Sequence, residues 1–309
     1  MTRYIVKRAG YMIATLWVII TLTFVLMHAL PGDPFLNPKK VPEPIRQNML
    51  AKYGLDKPLY QQYFIYLENL SRGELGYSLR YTQRTVNDMI RDGFPYSADL
   101  GVRALIFAIT TGLTLGIIAA LNHNRGWDYT AMLVAVFGVS VPNFVVGTLL
   151  QYLISVKLRL LPVTGWEGFK YTLLPSFALG LWTVALMARM MRTTMLEVLN
   201  QDYIKTAKAK GLSSREIVWR HAIRNAILPV VTILGPLVVN IITGTLVIET
   251  IFAIPGLGRY YVQSINNLDY PLIMGTTIFY AALLILAIFL VDIAYSFIDP
   301  RIRLVGGKE

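Results

Sequence analysis

The stretch NQDYIKTAKAKGLSSREIVWRHAIRNAILP, from Asn200 to Pro229, lies between two hydrophobic segments of the chain. Its pattern predicts two short helices joined by a turn. Asn200 or Asp202 can cap the first helix, because short polar side chains accept hydrogen bonds from the free N–H groups at a helix start. Gly211 ends that helix, because glycine readily adopts the left-handed backbone found after many helices.

Charge and capping chemistry fit the same two helices. Lys208 and Lys210 lie in the last turn of the first helix, where the helix dipole favours cations. Ser213 and Glu216 have the spacing of a capping box, which starts a second helix. These features alone are also typical of an ordinary basic intracellular loop, so the function of the stretch depends on the rest of the chain.

Composition identifies the kind of protein that carries this stretch. The chain has 309 residues, of which 55% are hydrophobic and only 15% are charged. That balance predicts an all-α polytopic membrane protein. Runs long enough to span a bilayer occur at about 10–30, 98–121, 130–156, 173–191, 228–250 and 272–297. We therefore expect six transmembrane helices in one integral domain (1–309), with an external loop at 31–97 and a basic loop at 192–227.

The distribution of Lys and Arg predicts the orientation of these spans. Fifteen of them flank the ends that we assign to the cytoplasm: Arg3, Lys7, Arg8, Arg125, Arg189, Arg192, Lys205, Lys208, Lys210, Arg215, Arg220, Arg224, Arg301, Arg303 and Lys308. Four lie in the short loops of the other side: Lys157, Arg159, Lys170 and Arg259. Because cytoplasmic loops are richer in Lys and Arg, both termini and the basic loop are expected in the cytoplasm.

Several function classes find little support in the sequence. The net charge of +11 is sufficiently explained by membrane insertion, and we find no nucleic-acid-binding motif. The chain has no cysteine, which excludes disulfides and thiolate metal sites. Its three histidines lie in different segments, so no metal site and no catalytic group is predicted. No phosphate-binding loop is present, so nucleotide chemistry would belong to a partner.

The external loop contains one predicted amphipathic helix, from about Leu59 to Leu70. Leu59, Tyr63, Tyr66 and Leu70 are spaced by three or four residues and form one apolar face. We interpret this helix as part of a cap packed over the mouth of the helix bundle, and a direct ligand site is the alternative.

Polar residues inside the spans are candidates for a translocation path. Pro142 and other Pro and Gly residues interrupt the spans, and such breaks can open a polar route. The candidates are Asn143, Gln151, Asn240 and Glu249. Buried structural contacts are the alternative explanation for each of them.

A second acid, Asp292, falls near the inner end of the sixth span. A charge there is costly unless it is paired. We expect an ion pair with a cation at the same end, such as Arg189 or Arg192.

An ordered series of short motifs extends the argument to nearly the whole chain. The motifs are Leu30-Pro31-Gly32-Asp33-Pro34, Tyr53-Gly54-Leu55-Asp56-Lys57-Pro58-Leu59, Gly73-Glu74-Leu75-Gly76, Ser140-Val141-Pro142-Asn143-Phe144, Pro255-Gly256-Leu257-Gly258-Arg259, Asp269-Tyr270-Pro271-Leu272 and Asp299-Pro300-Arg301-Ile302-Arg303. With the basic stretch, the series resembles the permease subunits of peptide-importing ABC transporters, in particular the first permease of the pair, with its long external loop.

The resemblance gives the basic stretch a role. It is similar to the family's EAA signature, with Lys205, Thr206 and Ala207 at the three named positions, Gly211 as the glycine and Leu228-Pro229 opening the next span. The resemblance implies that the following residues couple the chain to an ATPase: Asp202, Tyr203, Lys205, Thr206, Ala207, Lys208, Lys210, Gly211 and Leu212.

The resemblance also implies a type I importer fold, a location in the bacterial cytoplasmic membrane, and a set of partners. These are a second homologous permease, two ATPase subunits that bind ATP and Mg²⁺, an extracytoplasmic peptide-binding protein and the peptide itself. Oligopeptides are the expected substrate, and related permeases for dipeptides, nickel complexes or glutathione are alternatives. A different class, the ion-gradient-driven secondary transporter, would use Glu249 or Asp292 as its carboxylate.

Overall fold

The computed structural model describes residues 2–29, 56–81 and 84–298. This part of the chain is helical and contains no strand beyond an isolated bridge between Tyr77 and Thr85. The helices are α1 (Thr2–Ala29), α2 (Leu59–Ser71), α3 (Val86–Leu121), α4 (Gly126–Ser140), α5 (Asn143–Leu150), α6 (Phe169–Leu199), α7 (Asp202–Ala209), α8 (Ser214–Glu216), α9 (Ile223–Ile251), α10 (Leu257–Asn266) and α11 (Tyr270–Ile298). Two π-helical segments, Gln151–Lys157 and Ile217–Ala222, continue α5 and α8.

The described helices are long and apolar enough for a polytopic membrane protein. Five qualify as spans individually, and the count is six when one bent pair is taken as a single span. The all-α polytopic fold is therefore confirmed. Several helices are longer than the apolar runs in the sequence: α3 begins at Val86, well before residue 98, and α6 continues past residue 191 to Leu199.

The third hydrophobic run is broken in the middle. Helices Gly126–Ser140 and Asn143–Lys157 are bent by 105° where they meet. Pro142 lies at the break and Val141 has an extended backbone, because the residue before proline avoids the helical region. The predicted interruption at Pro142 is thus a sharp turn of the chain.

The described chain divides into two compact units. The first comprises Met1–Pro95 with Gly256–Leu286, and the second comprises Tyr96–Pro255 with Ala287–Glu309. In the first unit, Asp269 is 1% exposed, and its carboxylate accepts hydrogen bonds from the Ser78 hydroxyl and from the Leu79 N–H, the latter at 3.1 Å. This carboxylate fastens the segment before α3 to the start of α11.

Helix α2 confirms the predicted amphipathic helix in the first unit. The Tyr63 hydroxyl lies 2.7 Å from Thr21 Oγ1 of α1, and the rings of Tyr63 and Tyr66 pack on Phe24. Burial raises the pKa of the Tyr66 hydroxyl. One face of α2 therefore lies on the end of α1, and residues 30–55, which include the rest of the predicted cap, are outside the described residues.

Close helix contacts organise the second unit. Gly112 and Gly116, one turn apart on α3, face α6 so closely that a Cβ atom on Gly116 would lie 2.6 Å from Met191 Cβ. A Cβ on Gly112 would lie 2.7 Å from Met187 Cβ. Small residues four apart let membrane helices approach in this way. Gly180 of α6 makes the reciprocal contact. A Cβ atom added to it would lie 2.9 Å from the carbonyl oxygen of Ala104 in α3.

Candidate functional site

The basic segment (residues 200–229) begins with α7, Asp202–Ala209. The residue before the helix is Gln201, which makes no side-chain cap, so the prediction of Asn200 or Asp202 as the capping residue was wrong. Asp202 is the first helical residue, and its carboxylate lies 2.8 Å from Lys205 Nζ on the exposed surface. An acid in the first turn still favours the helix through the dipole.

The end of α7 matches the prediction for Gly211. Its φ is +80°, and its N–H donates to the carbonyl of Lys208 at 3.0 Å. The N–H of Leu212 reaches back to the carbonyl of Ala207 at 3.3 Å. This pair of bonds is a Schellman motif, in which a left-handed residue closes the helix.

The second helix starts with the predicted capping box. Ser213 Oγ accepts a hydrogen bond from the Glu216 N–H at 3.3 Å, and the Glu216 carboxylate accepts one from the Ser213 N–H at 3.2 Å. The Schellman motif ends at Leu212, directly before Ser213 of this box, so both sides of the turn are fixed by local hydrogen bonds.

One face of α7 is buried against its own chain. Ile204 is 0% exposed and Ala207 is 6% exposed, and both cluster with Ile217, with Leu212 and Val198 at the edge. Ala207, one of the predicted coupling residues, therefore packs inside the chain in this conformation. Small size at this position serves the packing of α7 on the following helix.

The opposite face of the basic segment is exposed and basic. Its exposed positions from the predicted coupling set are Asp202, Tyr203, Lys205, Thr206, Lys208, Lys210 and Gly211. Two aromatic side chains accompany these residues: Tyr203 is 43% exposed and Trp219 is 66% exposed. Exposed aromatic side chains among cations are typical of a protein interface.

The second helix of the segment continues into the next span. The π-helical segment Ile217–Ala222 leads directly into α9, which runs through Leu228-Pro229 to Ile251. The Leu-Pro pair, which we expected to open the next span, lies inside a helix that begins before it. Proline inside a membrane helix is tolerated where other groups satisfy the freed carbonyl. Any displacement of α8 therefore acts on the span directly.

A partly buried ion pair lies near the end of α6. Arg192 donates from Nε to Asp128 Oδ1 at 2.6 Å and from Nη2 to Asp128 Oδ2 at 2.7 Å. Asp128 is 2% exposed, and it also accepts the Asn124 N–H at 2.9 Å. We expected Arg192 or Arg189 to pair with Asp292. The structure pairs Arg192 with Asp128. The side chain of Asp292 lies outside the described residues, so its predicted pairing stays a prediction.

Gln151 has a structural role in this conformation. Its side-chain nitrogen donates to the carbonyl of Val163 at 2.9 Å and to the carbonyl of Ile251 at 3.0 Å. These bonds join the loop after the π-helical segment Gln151–Lys157 to the end of α9. The amide is thus engaged in holding two backbone segments together, which agrees with the alternative of a structural contact.

The other polar candidates are dispersed. Asn143 is half-buried at the start of α5, directly after the 105° break. Glu249 of α9 is 0% exposed and lies inside the second unit. The side chain of Asn240 is outside the described residues.

The Asp128–Arg192 pair was not predicted from the sequence, since no sequence pattern links residues so far apart.

Comparison with protein families gives two matches that together cover most of the chain. Residues 112–304 match the binding-protein-dependent transport system inner membrane component, and residues 1–101 match the N-terminal part of the binding-protein-dependent transport system membrane component.

Individual relatives align along nearly their full length. The dipeptide transport system permease protein DppB of Bacillus subtilis is 50% identical, with 98% of this chain and 99% of that protein covered. The oligopeptide transport system permease protein OppB of Haemophilus influenzae is 46% identical, with 98% and 100% covered. The OppB protein of Escherichia coli K12 is 44% identical, again with 98% and 100% covered.

Solved structures share the fold at low sequence identity. A chain from an amino acid ABC transporter has 15% identity and a TM-score of 0.54, covering 68% of this chain and 94% of its own length. A chain of the MetNI methionine ABC transporter, in an inward-facing conformation, has 17% identity and the same TM-score of 0.54 and coverage, 68% and 94%. These likenesses establish the type I permease fold.

Proposed function

The chain belongs to the family of binding-protein-dependent transport system inner membrane components, and on that basis we propose that it is the membrane-spanning permease subunit of an ATP-driven peptide importer. The observation that carries this proposal is full-length identity of 44–50% to proteins named as dipeptide and oligopeptide permeases. The subunit is then part of a transport complex and leaves ATP hydrolysis to its partners.

The length of the transported peptide is not set by these relatives, since both dipeptide and oligopeptide permeases occur among them. We assign peptides as the substrate class. The extracytoplasmic binding protein that delivers the peptide would then select its length, and a second permease would complete the translocation path.

The exposed face of the basic segment is the surface that we assign to an ATPase subunit. Support comes from its exposed aromatic side chains, Tyr203 and Trp219, and from its exposed lysines, Lys205, Lys208 and Lys210. The buried face, with Ile204 and Ala207, ties α7 to the helix that continues into α9. A force applied to the exposed face would therefore reach a membrane span through packed side chains.

Peptide uptake should depend on ATP and not on an ion gradient. In vesicles that contain the complete complex, a protonophore should leave uptake of a labelled peptide largely unchanged while internal ATP is held constant. Replacing ATP by a non-hydrolysable analogue should abolish uptake. The secondary-transport alternative is correct if two results are found together. The protonophore must stop peptide uptake at constant ATP, and the Glu249→Gln variant must be present in normal amount but fail to accumulate peptide.

Thiol labelling tests the proposed orientation, because the chain has no native cysteine. Ser71→Cys at the exposed end of α2 should react with an impermeant reagent applied to intact cells. Ser214→Cys in the basic segment should react only after the membrane is opened. Ser214 is exposed and leaves the capping hydroxyl of Ser213 in place. Labelling of Ser214→Cys from outside would reverse the topology.

A further inference from the structure

The Asp128–Arg192 pair lies where two membrane helices meet near the basic segment. Asp128 occupies the first turn of α4, and Arg192 is two turns before the end of α6. The two hydrogen bonds are parallel and charge-assisted, which fixes orientation as well as distance. Because Asp128 is 2% exposed, water competes little for its carboxylate.

The same carboxylate also shapes the loop before α4. It accepts the N–H of Asn124, a residue in the left-handed region with a φ of +59°. His123 Nδ1 lies 3.3 Å from Asp128 Oδ2 and 3.2 Å from Arg192 Nη2, on the partly exposed side of the pair. One side chain therefore holds both the turn and the start of α4 against α6.

The end of α6 is itself packed onto the basic segment. Met191 and Met195 are fully buried against Ala222 and its neighbours in the second helix of that segment. Val198 contacts the cluster that includes Ile204 of α7. A continuous set of contacts within the second unit thus joins α7, α6 and the start of α4.

We propose that Asp128 and Arg192 are positioning residues that fasten α4 to α6, so that α4 moves with the basic segment when an ATPase subunit displaces it. This proposal rests on the proposed function of the basic segment in coupling. It adds the broken helix pair α4 and α5 to the elements driven by ATP. The pair acts through charge and geometry together. Asp128→Asn would keep the shape of the side chain but remove its charge, and Arg192→Lys would keep the charge but lose the bidentate contact.

The experiment measures the distance between α4 and α7 in the complete complex. Spin labels on Leu133→Cys of α4 and Ala209→Cys at the end of α7, both at exposed positions, report this distance with and without ATP. With the native pair, the distance distribution should stay narrow and unchanged when ATP binds. In the same labelled chain, Asp128→Asn should broaden the distance distribution or make the distance depend on ATP. The number of peptides transported per ATP hydrolysed should fall roughly fivefold or more.

Asp99→Asn is the matched control. Asp99 pairs with Arg103 at 2.8 Å within α3, with both side chains more than a third exposed, so its loss should change neither distance nor transport ratio. Arg192→Lys should give an intermediate effect and replaces Asp128→Asn if that variant does not accumulate.

Three results would overturn the proposal. The distance between α4 and α7 could change with ATP while the native pair is intact, or Asp128→Asn and Arg192→Lys could both behave like the wild type. If neither variant accumulates, the pair serves folding alone. Failure of the proposed function is distinguishable, because the wild-type complex would then show no ATP-driven uptake.

Discussion

Replacing Gly116 by valine should remove most of the folded protein from the membrane. A Cβ atom at this position would lie 2.6 Å from Met191 Cβ and 2.7 Å from the Ala188 carbonyl oxygen. The carbonyl belongs to the backbone of α6 and cannot rotate away, so α3 and α6 must separate. Overpacking of this kind typically costs about 1–3 kcal/mol, and the branched side chain adds further atoms to the clash.

The amount of monodisperse protein after extraction and its melting temperature measure this effect. Gly10→Val is the control, because Gly10 lies inside α1 and no described atom outside its own helix backbone comes within 4 Å of its Cβ position. That variant should accumulate normally. Equal yields and melting temperatures for the two variants would mean that α3 and α6 are not in the close contact seen here.

The second large effect is expected at Gly211. Valine there should leave the protein inserted in the membrane but greatly weaken peptide uptake and copurification of an ATPase subunit. With a φ of +80°, this residue has the backbone that side chains resist by roughly 1–2 kcal/mol. A penalty of that size lowers the population of the native turn by about 5-fold to 30-fold. No described atom beyond the chain neighbours crowds Gly211, so backbone strain is the cause.

Gly211→Asn separates strain from side-chain size. Asparagine tolerates the left-handed region better than valine does, so its uptake should lie close to that of the wild type. Thermal stability of the membrane domain should be similar in both variants. Normal uptake and copurification with Gly211→Val would show that the turn between α7 and α8 is not needed for coupling.

Local sequence patterns predicted those parts of the molecule that short-range physics determines. The turn at Gly211, the capping box at Ser213 and the break at Pro142 are all confirmed, because each depends on residues close together in the chain. The sequence also contained a pattern that could have indicated the close contact of α3 with α6. Gly112 and Gly116 are four residues apart in an apolar run. We did not single out this pair from the sequence.

Partners distant in sequence were not predictable from the residues alone. Asp128 and Arg192 belong to different helices, and their pairing follows from how α4 packs on α6. The burial of Ala207 was not predictable for a related reason: a small residue fits either a partner's surface or a tight contact inside the chain, and only the fold places it beside Ile204 and Ile217.

The turn at Gly211 and Leu212 also has a kinetic consequence. Its Schellman motif and capping box close the backbone on both sides with bonds from the same chain. A partner that recognises this surface has no backbone to order on contact, so association should proceed at the rate of a rigid pair, about 10⁵–10⁷ M⁻¹s⁻¹. Assembly of the complex would then be limited by how often its subunits meet in the correct orientation.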